Sequence, residues 1–315
     1  MVRRPLRWLP ACIVVLGVTG AACGTSAPRS TGAPTSSGSF PVTIAAANGT
    51  VRIAARPRAV VSLSPTATEM LYAVGAGAQV KAVDKDSDYP EKAPHTSLDA
   101  YQPNVEAIVA YDPDLVIVSG DSGDLNEHLA SLHIPVLELP AAATLRDAYR
   151  QIDEVGDATG HRGQASAEVA SMKSQIASIV ARAPKTHTRS TYYYELDPTY
   201  FSVTSSTFVG KVLGLLGLRN IADAAPGAAA SGGYPQLSAE FIVQSDPDYV
   251  FLADTVCCGQ SAATVAARPG WSTITAVRKG QVVKLNDDVA SRWGPRVVVL
   301  LRTAEQALAE HGSGS

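Results

Sequence analysis

One string of residues occurs twice in this chain. Residues 104–118 read NVEAIVAYDPDLVIV, and residues 238–252 read SAEFIVQSDPDYVFL. Both follow Glu-x-Ile-Val-x-x-Asp-Pro-Asp-x-Val. An Asp-Pro pair stops a helix, because proline lacks the amide and disfavours helical backbone in the residue before it. The apolar run after the stop reads as a buried strand. A weaker echo, MLYAVG at 70–75 and VLGLLG at 212–217, keeps nearly the same separation. Repeated α/β units predict two lobes of one plan. The same string also suits a generic helix-to-strand connection, which implies no duplication.

The surrounding pattern extends the plan. Val42-Thr43-Ile44 and Val51-Arg52-Ile53 flank Asn48-Gly49, a hairpin signal. Ala59 to Leu63 reads as a strand, and Pro65 to Val74 as a helix entered through Ser64-Pro65. Strands near 80–84, 115–119 and 135–139 alternate with helices near 104–110 and 124–132, which predicts parallel sheets. A helix over 145–155 then breaks near Gly156 and Gly160. A longer one over 164–183 places Val169, Met172, Ile176, Ile179 and Val180 on one face. About 20 residues make a rod of roughly 30 Å. The strand expected at 190–196 resumes the alternation. The fold class predicted is α/β: two Rossmann-like lobes joined by a single long backbone helix, with a ligand cleft between the lobes.

The N-terminus is of another kind. Arg3, Arg4 and Arg7 precede an apolar stretch over Leu9–Val18, and Gly20-Ala21-Ala22-Cys23 follows. That order predicts a signal peptide, too short for a membrane span of about 20 apolar residues. Residues 24–39 are nearly all Gly, Ala, Pro, Ser and Thr, which predicts a disordered tether. The boundaries expected are 1–23 leader, 24–40 tether, 41–143 N-terminal lobe, 144–184 helical connector and 185–315 C-terminal lobe.

Composition narrows the function. Apolar residues make up 46% and charged residues 17%, with a formal net charge of −3. No basic field exists to attract nucleic acid. No Walker A, G-x-S-x-G or H-E-x-x-H string occurs, and Gly75-Ala76-Gly77 follows a helix and lacks a third glycine. The six His show no metal-ligand spacing and no C-x-x-C exists, so neither metal nor cofactor is expected. Cys257 and Cys258 are adjacent. Their Cα atoms must lie about 3.8 Å apart, closer than in most disulfides, so a vicinal disulfide and two free thiols are both open readings.

Several motifs carry a resemblance. Ser64-Pro-Thr-Ala-Thr-Glu69, Ser87-Asp-Tyr-Pro90, Asn104-Val-Glu-Ala-Ile-Val109, Pro235-Gln-Leu-Ser-Ala-Glu240 and Arg292-Trp-Gly-Pro-Arg296 resemble the periplasmic binding proteins of cobalamin and ferric-siderophore ABC importers, nearest in motif to vitamin B12-binding proteins. The likeness runs from about residue 50 to 312. It implies an extracytoplasmic monomer, not an enzyme. That monomer would capture a metal chelate (cobalamin or a related corrinoid first, ferric siderophore or haem next) and deliver it to a permease dimer with its ATPase. The lipobox-like Ala21-Ala22-Cys23 implies a lipid anchor on Cys23 at the outer face of the cell membrane, although Gly20 stands where the pattern prefers Leu. A secreted chain cut elsewhere is the alternative.

The same resemblance implies site residues. Glu69 and Glu240, one per lobe, would dock on the permease subunits; as first-turn glutamates they could instead serve only the helix dipole. Glu106 fits the dipole role better. Tyr89, Tyr101, Tyr200, Phe201, Tyr234, Arg292 and Trp293 would line the cleft, the aromatics offering broad faces with a polar edge and Arg292 an anion partner. A chelate-processing enzyme using the same cleft and an adhesion lipoprotein are the rival readings.

Overall fold

The computed structural model describes residues 39–184 and 189–312. The leader, the tether and Cys23 therefore lie outside the described residues, apart from Ser39 and Phe40. The hairpin forms between β1 (Val42–Ala46) and β2 (Gly49–Ile53).

Each lobe is a four-stranded parallel sheet. In the N-terminal lobe, β3 (Val60–Leu63), β4 (Val80–Val83), β5 (Leu115–Val118) and β6 (Val136–Glu138) stand in the order β4-β3-β5-β6. In the C-terminal lobe, β7 (Thr191–Glu195), β8 (Arg219–Asn220), β9 (Tyr249–Leu252) and β10 (Val282–Lys284) stand in the order β8-β7-β9-β10. Both lobes thus run second-first-third-fourth. All four residues of β3, β5 and β9 are buried, as expected for parallel strands covered on both faces.

The repeated strings occupy equivalent places. Helix α1 (Pro65–Ala73) joins the first two strands of its lobe, and α2 (Val105–Val109) leads into β5. Helix α3 (Leu125–Ser131) precedes β6. In the second lobe α6 (Phe208–Gly214) and α7 (Ala239–Ser245) correspond to α1 and α2. The first Asp of each Asp-Pro-Asp has left-handed backbone, φ 49° at Asp112 just past α2 and 41° at Asp246, which caps α7. The second Asp fastens the neighbouring strand. Asp114 accepts the Arg58 and Ala59 amides at the entrance to β3, and Asp248 accepts the Thr191 amide at the start of β7. The string is therefore a helix stop and a strand clamp in one, which explains why it recurs.

The lobes are joined by α4 (Leu145–Thr159) and α5 (Arg162–Arg182). The expected backbone helix is α5, but it does not run alone. The chain turns through Gly160, at φ 75°, and α4 packs back along α5. Their approach at Gly156 is close, since a Cβ there would lie 2.3 Å from the Ala165 Cβ. The largest apolar cluster runs from Val60 and Ile117 through Val169 and Ile176 of α5 to Tyr192 and Phe251. One apolar core thus spans both lobes, which opposes wide separation of the sheets.

Four further α-helices follow in the described chain: α8 (Ala262–Ala266), α9 (Thr275–Arg278), α10 (Asp287–Ser291) and α11 (Val297–Gly312). Helix α11 packs on α5, α6 and α10. No helix among the described residues is long and apolar enough to cross a membrane.

Candidate functional site

In open parallel sheets, ligands bind beyond the carboxyl ends of the strands, where the strand order reverses. Here those points lie between β3 and β5 and between β7 and β9. The strand-end segments of the two lobes meet at Arg292, which follows β10 and α10. Its guanidinium reaches Glu69 and Asp88 at 3.0 Å each and the Asp86 carbonyl at 3.0 Å in the N-terminal lobe, and Asp288 at 2.6 Å in its own.

The N-terminal face is a hollow of about 250 Å³ between Pro65, Asp84, Asp86, Tyr101, Ser119 and Gly120. Tyr101 is set there by Asp99, whose carboxylate accepts the Tyr101 and Gln102 amides and the Lys85 ammonium. The residue is 80% exposed, so its ring is open to a ligand. Asp84 is buried below and accepts from the Ser87 hydroxyl. Burial raises its carboxyl to about 6, with the Asp86 charge adding to the rise.

The C-terminal face is aromatic. Phe201 bridges Gln236, with Ser202 N donating to Pro235 O at 2.9 Å and Leu237 N to Tyr200 O at 3.0 Å. This short ribbon carries Phe201 and Tyr234, both exposed. Beside it, after β9, Cys257 and Cys258 are joined by a disulfide. Their loop is seated on Asp287, whose carboxylate accepts the Thr255, Val256 and Cys257 amides at 2.7–3.1 Å.

Beneath that face is a buried ion pair. Arg268 donates two bonds of 2.6 Å to Glu195, and its guanidinium lies 4.5 Å from the Trp271 ring centroid and 5.3 Å from that of Tyr200. Such a bidentate pair is the geometry that best offsets the cost of burying both charges. Asp254 is fully buried as well. Burial, and then the Glu195 charge, push its carboxyl up to about 7.

The structure distributes the expected site residues unevenly. Tyr101, Phe201 and Tyr234 are exposed at strand ends. Tyr200 instead stacks on Trp271 at 5.7 Å, part-buried, and supports the face from behind. Tyr89 belongs to a different hollow of about 330 Å³, with Tyr72, Gln175 of α5 and Val299 of α11, and Arg296 lies 4.1 Å over its ring. Arg292 is 9% exposed and holds four acceptors, so it ties the lobes together where an anion partner was expected. The Trp293 indole points at α4, donating to Gln151 at 2.8 Å. The reason is common to both: the Arg292–Arg296 segment is drawn inward by carboxylates and by the connector.

Glu69 differs most from expectation. It is 3% exposed and is held by Arg292 and by two bonds from Arg296 at 3.0 and 2.6 Å. A surface docking carboxylate is not what stands there. Glu240 is exposed in the first turn of α7, and its counterpart in the repeat, Glu106, is exposed in the first turn of α2. Sequence reasoning also passed over Asp84, Asp86 and Arg268. The first two were signalled by their place at and just past the end of a predicted strand; Arg268 carried no local signal. Among the described residues, no group of three or more His, Cys, Asp or Glu is arranged to hold a metal ion.

Comparison with known proteins agrees with this architecture. The periplasmic binding protein family model matches residues 60–289. An uncharacterized ABC transporter substrate-binding lipoprotein of Bacillus subtilis, YvrC, is 31% identical over 299 residues, covering 91% of this chain and 92% of that one. A cobalamin-binding protein of Halobacterium salinarum is 32% identical over 271 residues, covering 82% and 72%. The periplasmic heme-binding protein RhuT from Roseiflexus superposes with a TM-score of 0.70 at 20% identity, over 82% of this chain and 99% of that one, which is a likeness of fold. With its two repeated α/β lobes and a family match that covers most of its length, this chain belongs to the periplasmic binding proteins, a class that binds solutes and does not transform them.

Proposed function

We propose that this chain is the substrate-binding component of an ABC importer, tethered outside the cell membrane through a lipid on Cys23, and that its cargo is a metal chelate. The observation that carries the reading is the pairing of exposed aromatic faces, Tyr101 on one lobe and Phe201 with Tyr234 on the other, at the strand ends where ligands bind. A large planar chelate buries broad apolar area and needs polar contacts at its edge, and phenols supply both. The names of the Bacillus and Halobacterium relatives support an importer and a corrinoid cargo. Ferric siderophore and haem are the other cargoes of this reading. The tether over 24–40, the lobes over 41–143 and 185–315, and the connector over 144–184 belong to the same proposal, as does a monomer working with a permease dimer and its ATPase.

Docking falls to Glu106 and Glu240 in this reading. They are exposed, they occupy the same turn of equivalent helices, and there is one on each lobe. Such fixed charges set orientation and encounter rate. The experiment that tests the function is equilibrium titration of the chain from residue 24 onward with cyanocobalamin, a ferric hydroxamate and haemin. One-to-one binding of at least one chelate is expected, and binding of none would overturn the reading.

A further inference from the structure

Three of the cations near the strand ends are engaged, while Lys284, the last residue of β10, is exposed. Lys85 pairs with Asp99 at 2.6 Å, Arg292 with Glu69, Asp88 and Asp288, and Arg268 with Glu195. Lys92, further along the same loop as Lys85, sits over the Tyr72 ring, 5.4 Å from its centroid, in the separate hollow behind α1. The carboxylates are in a different state. Asp86 follows β4, lines the N-terminal hollow together with Tyr101, and is exposed. Its carbonyl accepts from Arg292, but no hydrogen bond or ion pair among the described residues engages its carboxylate. Across the same segments Asp287 stands at the base of the cystine loop, bound only through amides and a hydroxyl. The N-terminal rim, where Asp86 stands beside Tyr101, is thus an acceptor surface on which Lys85 and Arg292 are already paired with the protein's own carboxylates.

We propose that Asp86 is a specificity-determining residue of this cleft, and that it selects a neutral or cationic chelate fringed with N–H donors over one fringed with carboxylates. This inference rests on the cleft being the chelate site. A corrin ring carries primary amides around its edge. Their N–H groups can donate to Asp86, a charge-assisted bond of the stronger kind. Haem carries two propionates. Placed beside Asp86 and Asp84 they meet like charge, which works against the wrong partner. Arg292 and Arg296 are both committed at the junction, Arg292 to four acceptors and Arg296 to Glu69 and the Tyr89 ring.

The test is calorimetric titration of the chain from residue 24 onward, wild type and Asp86→Lys, with aquocyanocobinamide, cyanocobalamin and haemin at low and moderate salt. Aquocyanocobinamide is cationic and amide-fringed. The wild type is expected to bind both corrinoids at least about 10-fold more tightly than haemin, with the cobinamide affinity falling as salt rises. Asp86→Lys is expected to weaken cobinamide by about 10-fold and to narrow the gap to haemin, with Asp86→Asn between them. Asp86 is exposed, so the variants should keep the wild-type melting temperature, and circular dichroism checks this. Haemin binding as tight as corrinoid binding, or an unchanged preference in Asp86→Lys, would overturn charge selection while leaving the importer component intact. Binding of none of the three overturns this inference, and the chelate reading falls with it only if the ferric hydroxamate is not bound either.

Discussion

Two of the buried glutamates held by arginine, Glu195 and Glu69, do different work. Glu195 ends β7 and is closed off inside one lobe with Arg268, whose remaining contacts are Gln260 and the rings of Trp271 and Tyr200. Glu69 sits on α1 and is held across the lobes by Arg292 and Arg296. Among the described residues, neither partner of the first pair makes a second ion pair. The second is one strand of a net, because Arg292 also holds Asp88, Asp288 and the Asp86 carbonyl. The same chemistry therefore sets the integrity of a lobe at one site and the relation between lobes at the other.

The sharpest way to break this comparison is to remove each partner in turn. Arg268→Met leaves Glu195, 0% exposed, without its cation, and should cost about 3–5 kcal/mol in urea unfolding. A loss below about 1 kcal/mol would show that Glu195 takes up a proton or another partner at little cost. The second effect is in pH. Asp254 lies beside Glu195, and its carboxyl is raised to about 7. A raised carboxyl binds its proton more tightly in the folded state, so stability is full below the unfolded value near 4 and declines as pH rises through about 7. Asp254→Asn should flatten that decline, by on the order of 2 kcal/mol between pH 4 and 8; melting curves across that range would detect it. The smallest loss is expected for Glu69→Gln, about 1–2 kcal/mol, because Arg292 keeps its other acceptors. Its signature is place: amide exchange should quicken in α1 and in 286–296 while β7 and β9 stay protected. Faster exchange throughout the C-terminal lobe would show that Glu69 supports that lobe too.

Features that depend on neighbours in the chain were legible in the sequence. The α/β alternation, the hairpin at Asn48-Gly49, the duplicated helix-to-strand string and the long α5 all follow from local spacing, and the structure carries each within a few residues. What escaped was partnership over distance. Glu69 reads the same in sequence whether its helix turn faces water or a guanidinium, and its partners lie 223 and 227 residues away. Arg292 was recognisable as a cation placed for recognition, yet its partners turned out to be the protein's own carboxylates. The second Asp of each Asp-Pro-Asp looked like part of a turn; its clasp on a strand 55–57 residues away was invisible. The resemblance named the aromatic residues, but only the placement of the strand ends separated Tyr101 and Tyr234 from Tyr89 and Tyr200.

That clasp has a practical side. Asp114 and Asp248 fix where β3 and β7 enter their sheets from the edge opposite the strand-end loops. The part of each lobe that aligns the strands is thus separate from the part that meets a cargo. A combinatorial library over positions 86, 101, 201 and 234 would vary the recognition surface on a frame whose alignment is set elsewhere, which makes this chain a workable starting point for a sensor or capture reagent against other flat chelates.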